Sequence, residues 1–425
     1  MLTAIAAIFV LIYAAIALEH PIGISKTATA LIGAVLLWTI YAVTVSDHAL
    51  ISHQLEESVA ATAQIVFFLI GAMTIVEVID AHDGFEVITS RINTTSQVTL
   101  IWLVGFVSFV LSAILDNLTT TIVMVSLIQR LIARRDDRLL FASLIVIAAN
   151  AGGAWTVIGD VTTTMLWIGG QITPLNIMRA VFLPSLVNLL VPLAFISLSL
   201  RGKTIAAPQR DSGLLTVIRF ERNLMFYLGL GVLIAVPAFK TLTHLPPFMG
   251  VLLGLGIVWL VGEVLHRNKD EHVRRPLSLA HALTRIDMGS IVFFVGILLA
   301  VACLEHAGLL TMLARWLEAT IGRQDIIVVV LGLLSAVVDN VPLVAATIGM
   351  YDLGHYPPDS FLWEFIAYCA GTGGSILIIG SAAGVAAMGL ERIEFLWYAR
   401  RIAVPALAGY LAGAVVYVAQ HAWLH

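Results

Sequence analysis

The sequence predicts an all-α polytopic membrane protein made of two inverted repeats, with about ten transmembrane helices, two re-entrant hairpins and two broken helices. Three observations predict this. Of 425 residues, 60% are hydrophobic and 12% charged, with mean hydropathy +0.98, so most of the chain must lie in a bilayer. One motif occurs twice, 223 residues apart, as Ser112-Ala-Ile-Leu-Asp116-Asn117 and Ser335-Ala-Val-Val-Asp339-Asn340. Basic residues, finally, fall almost entirely on one side of an alternating topology.

Apolar segments run at 2–19, 27–45, 62–80, 98–132, 139–168 and 176–200, then at 224–240, 246–265, 289–305, 325–350, 361–388 and 395–420. The first starts without a basic n-region and ends without an A-x-A site, so it reads as a retained helix and not a signal peptide. Residues 1–200 form the first repeat and 224–425 the second. The linker 201–223 carries Arg201, Lys203, Arg210, Arg219 and Arg222 around Pro208 and Ser212-Gly213, a polar loop composition. Cys303 and Cys369 lie in apolar segments and read as packing thiols. A net charge of −4 with no long basic run excludes nucleic acid as a partner.

The repeat extends beyond its Asp-Asn core. Asp80-Ala-His82-Asp-Gly84 matches Leu304-Glu305-His306-Ala-Gly308, and the run from Gly152-Gly153 to Gly159 matches that from Gly373-Gly374 to Gly380. Three collinear matches at a nearly constant offset argue for duplication. An Asp-Asn pair in mid-block interrupts a span, and interrupted backbone survives at bilayer depth only when buried or lining a cavity. Blocks 98–132 and 325–350 therefore read as hairpins with the Asp-Asn pairs near their tips. Each half is left with five spans, an odd number, so the second is inverted.

Positive-inside counting tests the inversion independently. With the linker in the cytoplasm, 19 basic residues fall inside, Lys26, Arg91 and the cluster Arg130, Arg134, Arg135 and Arg138 among them; only Arg179, Lys240, Arg315 and Arg323 fall outside. Both termini are then external, and the hairpins enter from opposite faces.

The first repeat concentrates oxygen atoms. Asp116, Asn117, Thr119, Thr120 and Thr121 bring a carboxylate, an amide and three hydroxyls into six residues of an apolar stretch. Such hard ligands suit Na⁺ or Li⁺, while an Asp at this position can also simply cap the second hairpin arm. Block 139–168 holds Asn150, Gly152, Gly153, Asp160, Thr162 and Thr163. The paired glycines there permit either an unwound stretch or close helix packing. Segment 361–388 answers with Thr372, Gly373, Gly374, Ser375 and Ser381, but Gly371 replaces Asn150 and Ser381 replaces Asp160. The halves are chemically unequal. The first is expected to hold most of a cation and proton site, with Na⁺ on Asp116, Asn117, Asn150 and Asp160. Asp339, Asn340, Thr372, Ser375 and Ser381 would complete the site or gate it. Glu77, Asp80, His82, Glu305 and His306 are secondary candidates for a proton route or pH sensing, since histidine titrates near physiological pH.

Taken together, Leu115-Asp116-Asn117-Leu-Thr-Thr-Thr, Asn150-Ala-Gly-Gly-Ala-Trp-Thr-Val-Ile-Gly-Asp160-Val-Thr-Thr-Thr, Val338-Asp339-Asn340-Val-Pro and Gly371-Thr-Gly-Gly-Ser375 resemble the NhaD-type sodium/proton antiporters of the ion transporter superfamily. The resemblance spans almost the whole chain. It implies inverted repeats, re-entrant hairpins, a homodimeric scaffold, elevator-like motion and a bacterial-type inner membrane. It also implies that Asp116, Asn117, Asn150, Asp160, Thr162 and Thr163 handle cation and proton, with Asp339, Asn340 and Ser375 functional in the second half. No cofactor is expected beyond the transported Na⁺ or Li⁺ and H⁺.

Two acids beside two helix breaks suggest exchange by competition, because a dehydrated carboxylate binds either a proton or a cation. The expected activity is export of Na⁺ or Li⁺ against entering H⁺. The rival within the same architecture moves an anion, a dicarboxylate or oxyanion, for which neutral tips and helix N-termini would suit better than Asp at both tips. An intramembrane hydrolase is a distant third, and no HExxH helix is present.

Overall fold

The computed structural model describes residues 2–17, 19, 23–89, 94–204, 218–337 and 339–424. Arg91, Arg210, Val338 and linker residues 205–217 lie outside the described residues. Among the described residues the regular structure is helical, with one isolated antiparallel bridge, Ser96 with Thr204.

In chain order the main helices are α1 (Leu2–Ala17), α2 (Lys26–Thr44), α3 (His48–Ala81), α4 (Gln97–Leu115), α5 (Asn117–Leu131), α6 (Arg135–Gly153), α7 (Val161–Ile168) and α8 (Pro174–Ser199). After the linker come α9 (Arg219–Thr243), α10 (Pro247–His266), α11 (Met288–His306), α12 (Leu309–Ile321), α13 (Gln324–Leu334), α14 (Asn340–Met350), α15 (Phe361–Gly373), α16 (Ala382–Glu391) and α17 (Ala403–Leu424). Short helices at Glu271–Leu277, Leu279–Arg285 and Phe395–Arg401 join them. Among the described residues, eight helices are long and apolar enough to cross a membrane. The chain is an all-α, multi-pass membrane protein.

Both mid-block interruptions are hairpin tips. Helix α4 stops at Leu115 and α5 starts at Asn117; α14 starts at Asn340, after the tip that follows α13. Both broken helices are present too: α6 and α7 flank residues 154–160, and α15 and α16 flank 374–381. Almost every residue of α15 and of α6 from Leu139 onward is buried. Their interrupted backbone is thus wrapped in protein, which is the condition under which a bilayer tolerates it.

The two repeats interlock. The second hairpin arm α5 packs on α16 of the other repeat's broken helix, and α14 packs on α7. Outside this centre, α2 lies along α11 and α8 along α17.

Three regions differ from the reading of the apolar blocks. Residues 48–61, acidic and without Lys or Arg, are helical: α3 runs 34 residues, started by Asp47, whose carboxylate accepts from Leu50 N at 3.0 Å. At ~1.5 Å per residue this exceeds a hydrocarbon core of ~30 Å, so polarity marked an end that leaves the apolar layer and not a loop. Helix α12 falls between blocks because it is amphipathic, burying Leu310, Ala314 and Leu317 on one stripe. Gly308 (φ 76°) and Gly322 (φ 69°) bound it in the left-handed region that glycine enters cheaply. Block 395–420 divides after Arg401 into a short helix and α17.

Candidate functional site

The repeated serine joins hairpin to broken helix. Ser112 Oγ donates to Ala149 O at 2.6 Å, and Ser335 Oγ donates to Ala370 O at 2.9 Å. The glycines complete the same joint. A Cβ on Gly152 would run into the Phe109 carbonyl, and one on Gly373 into the Gly332 carbonyl. Glycine therefore serves close approach at the last turn of α6 and α15, and the unwound stretch begins directly after it. Thr156 Oγ1 donates to Ala113 O at 2.6 Å and fastens the break to the hairpin tip.

Asp160 occupies the centre. It is 1% exposed and caps α7, its Oδ1 accepting from Thr162 N and Thr162 Oγ1, each at 2.9 Å. Its Oδ2 accepts from Asn117 Nδ2 at 2.6 Å and from Asn340 Nδ2 at 3.2 Å. Both hairpin tips thus deliver an amide to one carboxylate. Asn150, fully buried, links the repeats a second time: its Oδ1 accepts from Asn117 Nδ2 at 3.0 Å, and its Nδ2 donates to Ser375 Oγ at 3.1 Å and Ser381 Oγ at 2.9 Å.

The tip carboxylates stand at the edge of this network. Asp116 has φ 102°, a region costing a non-glycine residue roughly 1–3 kcal/mol, and such strain gathers at functional sites. Its Oδ1 accepts from Thr119 N and its Oδ2 from Thr119 Oγ1, both at 2.8 Å, so the capping role is realised. Asp339 keeps an ordinary backbone (φ −47°) and lies 3.9 Å from Lys26 Nζ, which sits 4.8 Å above the Phe293 ring. Asp160 lies within electrostatic range of both tip carboxylates.

The structure therefore gathers Asn117, Asn150, Asp160, Thr162, Asn340, Ser375 and Ser381 into one bonded cluster, with Asp116, Thr119 and Asp339 at its margins. Thr163 and Thr372 turn to backbone carbonyls, of Asp160 and Tyr368. Thr120 is buried with its hydroxyl unpartnered among the described residues. The secondary candidates sit in other contacts. Glu77 and Asp80 face Arg285 at 3.4 and 3.7 Å, and His306 Nε2 meets Ser58 Oγ at 3.1 Å while the neighbouring Glu305 is exposed. His82 Nε2 lies 2.8 Å from His266 Nε2.

Sequence reasoning missed Lys26, His266 and Tyr398. The Tyr398 hydroxyl donates to Ser375 O at 2.7 Å and pins the second break from behind. A basic residue opening an apolar helix is too common to single out. A buried tyrosine in the short helix Phe395–Arg401 has no motif around it.

Chemically, the cluster offers one dry carboxylate, three reorientable amides and several hydroxyls. Each asparagine that donates to Asp160 also owns an oxygen; turning the amide presents that oxygen instead. The same side chains can compensate an empty carboxylate with N–H groups or surround a small cation with oxygens. Among the described residues no group of three or more His, Cys, Asp or Glu side chains forms a transition-metal site.

Comparison with known proteins finds transporters of similar sequence and fold. Residues 11–364 match the family model described as citrate transporter, CitMHS. Sodium/proton antiporter 1 of Arabidopsis thaliana is 49% identical over 418 residues, 98% of this chain and 72% of that protein. Sodium/proton antiporter 2 of the same plant is 47% identical, covering 96% of this chain and 97% of its own length. The Na⁺/H⁺ antiporter NhaD of Alkalimonas amylolytica is 30% identical, over 99% of this chain and 90% of that protein. Among solved structures, the Alcanivorax borkumensis YdaH transporter superposes with TM-score 0.59 at 13% identity, covering 93% of this chain and 98% of its own, a likeness of fold.

Proposed function

The chain belongs to the NhaD-type sodium/proton antiporters within the citrate-transporter family, and on that premise we propose that it exchanges cytoplasmic Na⁺, or Li⁺, for external H⁺ at Asp160. One observation carries the reading: a carboxylate buried to 1% exposure receives the tip amides of both hairpins, Asn117 and Asn340.

The Asp160 carboxylate accepts from four donors, two from Thr162 and one each from Asn117 and Asn340. A sodium ion replaces donors by acceptors: the asparagine amides turn, and Thr162 Oγ1 offers its lone pairs while its proton turns away. A proton on Asp160 removes the charge that holds the cation, so the two ligands exclude each other. Exchange follows because each crossing carries one or the other. The hairpins, attached to opposite repeats but meeting at one carboxylate, are the gates. Inversion, external termini, elevator-like motion, a homodimeric scaffold and residence in a bacterial-type inner membrane complete the proposal; the basic-residue distribution supports the orientation and the resemblance supports the rest.

The family description names citrate, which favours anion transport as the competing reading. Asp116 and Asp160 oppose it, since these two carboxylates have no cationic partner among the described residues and would repel a di- or tricarboxylate. The deciding experiment is a pH-probe assay in inverted vesicles. Na⁺ or Li⁺ should raise the lumenal pH in the wild type and not in Asp160→Asn, with no effect of added dicarboxylate or citrate. Citrate uptake that survives Asp160→Asn would overturn the assignment.

A further inference from the structure

A second polar centre lies away from Asp160, where α3 and α10 end together. His82 follows the last residue of α3, and His266 is the last residue of α10. Both are buried, at 0% and 2% exposure. Their rings lie nearly parallel, 21° apart, and meet end to end, with centroids 5.1 Å and Nε2 atoms 2.8 Å apart. The proton positions follow from the partners. His82 Nδ1 is 2.7 Å from the Val78 carbonyl, which only accepts, so Nδ1 carries the hydrogen and His82 Nε2 accepts. His266 Nε2 must then donate, which leaves His266 Nδ1 as a bare acceptor. That atom has no partner among the described residues.

His266 is also part of the wall of a cavity of about 460 Å³. The inner lining is apolar, with Val78, Met225, Val258 and Leu279, and the rim carries Arg267, Arg274 and Arg275 with Glu263 and Glu271. Two rim charges are already engaged with each other, Arg274 with Glu271, and Glu263 accepts from Trp259 Nε1 at 3.1 Å. Arg267 and Arg275 have no ion-pair partner among the described residues. The outer face of α10 beside them exposes Leu253, Leu260 and Val264, a lipid-facing stripe. A half-apolar cavity next to lipid, with two uncommitted arginines at its mouth and an unpartnered buried imidazole nitrogen in its wall, has the chemistry of an anionic headgroup site.

We propose that this cavity binds a phosphate-bearing anion, an acidic phospholipid headgroup or free phosphate, between Arg267 and Arg275 with the His82–His266 pair as its inner wall. Binding is linked to proton uptake. A proton added to the pair turns His266 Nδ1 from acceptor into donor, and a phosphate oxygen is the acceptor that position then requires. The anion therefore binds more tightly as pH falls. The charges around the pair are accounted for on every packed element. Glu221 of α9 is tied to Lys269 at 2.5 Å, and Arg222 to Glu86. Glu77 and Asp80 of α3 face Arg285, with Asp83 just beyond. Glu263, Glu271, Arg274 and His281 complete the set.

The test uses the purified full chain in nanodiscs of phosphatidylcholine with or without phosphatidylglycerol, plus an inorganic phosphate titration in detergent. Native mass spectrometry reads retained lipid, and thermal unfolding reads stabilisation. Phosphatidylglycerol should be retained over phosphatidylcholine, and the Arg267→Gln/Arg275→Gln variant should weaken retention by about tenfold while Arg315→Gln does not. Stabilisation by phosphate alone identifies free phosphate as the source, and its absence identifies the lipid. Burial holds both imidazoles below the usual histidine range, that of His266 down to about 4, so lowering pH from about 6 to about 4 should tighten binding in the wild type and not in His266→Gln. Equal retention of the two lipids together with no phosphate response, or retention unchanged in the double arginine variant, overturns the site. Each readout is independent of transport.

Discussion

Asn340, at the tip of the second hairpin, donates its amide to Asp160 of the first repeat's broken helix at 3.2 Å. The proposed cation site is therefore shared across the duplication, although its central carboxylate lies in the first half. Asn340→Ala should lower apparent Na⁺ affinity without unfolding the protein. A hydrogen bond to a charged group contributes ~1.5–3 kcal/mol. Because the empty state also loses its donor, the net change should be nearer ~1.4 kcal/mol, about tenfold. Asn117→Ala should cost more, since that amide also holds Asn150 at 3.0 Å. A Na⁺ titration of vesicle ΔpH measures both, and an unchanged half-maximal concentration in Asn340→Ala would show that the second hairpin does not touch the ion.

Close approach of hairpin to broken helix predicts a stability pattern. Gly152→Ala and Gly373→Ala each drive a methyl into a backbone carbonyl, of Phe109 or Gly332, which has no rotamer by which to retreat. Overpacking of this kind costs ~1–3 kcal/mol. Gly231→Ala, with open space at its Cβ, is the control and should hold its melting temperature. Thermal unfolding in detergent separates the three; equal melting temperatures would mean the hairpins slide freely on the broken helices.

Most of this architecture was legible in the sequence, for a physical reason. Apolar blocks report lipid, and a polar Asp-Asn or Gly-Gly inside one reports an interruption that burial must protect. Asp160, Asn150 and Asn117 could be picked out because polar groups are costly in that setting. The direction of bonding was not legible. Pattern alone suggested Asp116 and Asp160 at one site; it did not show that Asn117 turns inward to Asp160 while Asp116, within electrostatic range, bonds back to Thr119 at the tip. His266 and Lys26 stayed hidden because a basic residue at a helix end is cheap, and only the fold reveals that each meets a partner from a distant segment.

Tyr398 gives a third prediction, one that separates support from binding. Its hydroxyl holds the Ser375 carbonyl at 2.7 Å, and Ser375 Oγ accepts from Asn150. Tyr398→Phe removes one neutral hydrogen bond, ~1 kcal/mol, and leaves every group of the cluster in place. The melting temperature and turnover should fall modestly while the Na⁺ concentration for half-maximal exchange stays put. A large affinity shift instead would make Tyr398 part of the ion's surroundings.

The tip carboxylates differ most in company, and that difference can be tested. Asp116 has no cationic side chain within 4.0 Å among the described residues, whereas Asp339 has Lys26 at 3.9 Å, with only 21% and 13% of the Lys26 and Asp339 side chains exposed. Lys26 comes from α2, which packs along α11 and belongs to neither hairpin. Its ammonium neutralises Asp339 and repels a cation approaching from that side, by an amount that falls with distance and rises as water is excluded. Lys26→Met should therefore raise apparent Na⁺ affinity several-fold, and Lys26→Arg should keep the wild-type value because the charge is retained. The paired change Lys26→Met/Asp339→Asn removes both charges and should return the affinity toward wild type. If Lys26→Met lowered affinity and the double variant lowered it further, Asp339 would be a direct ligand of the ion, and the assignment of the site to the first repeat's carboxylate would have to be shared between the two halves.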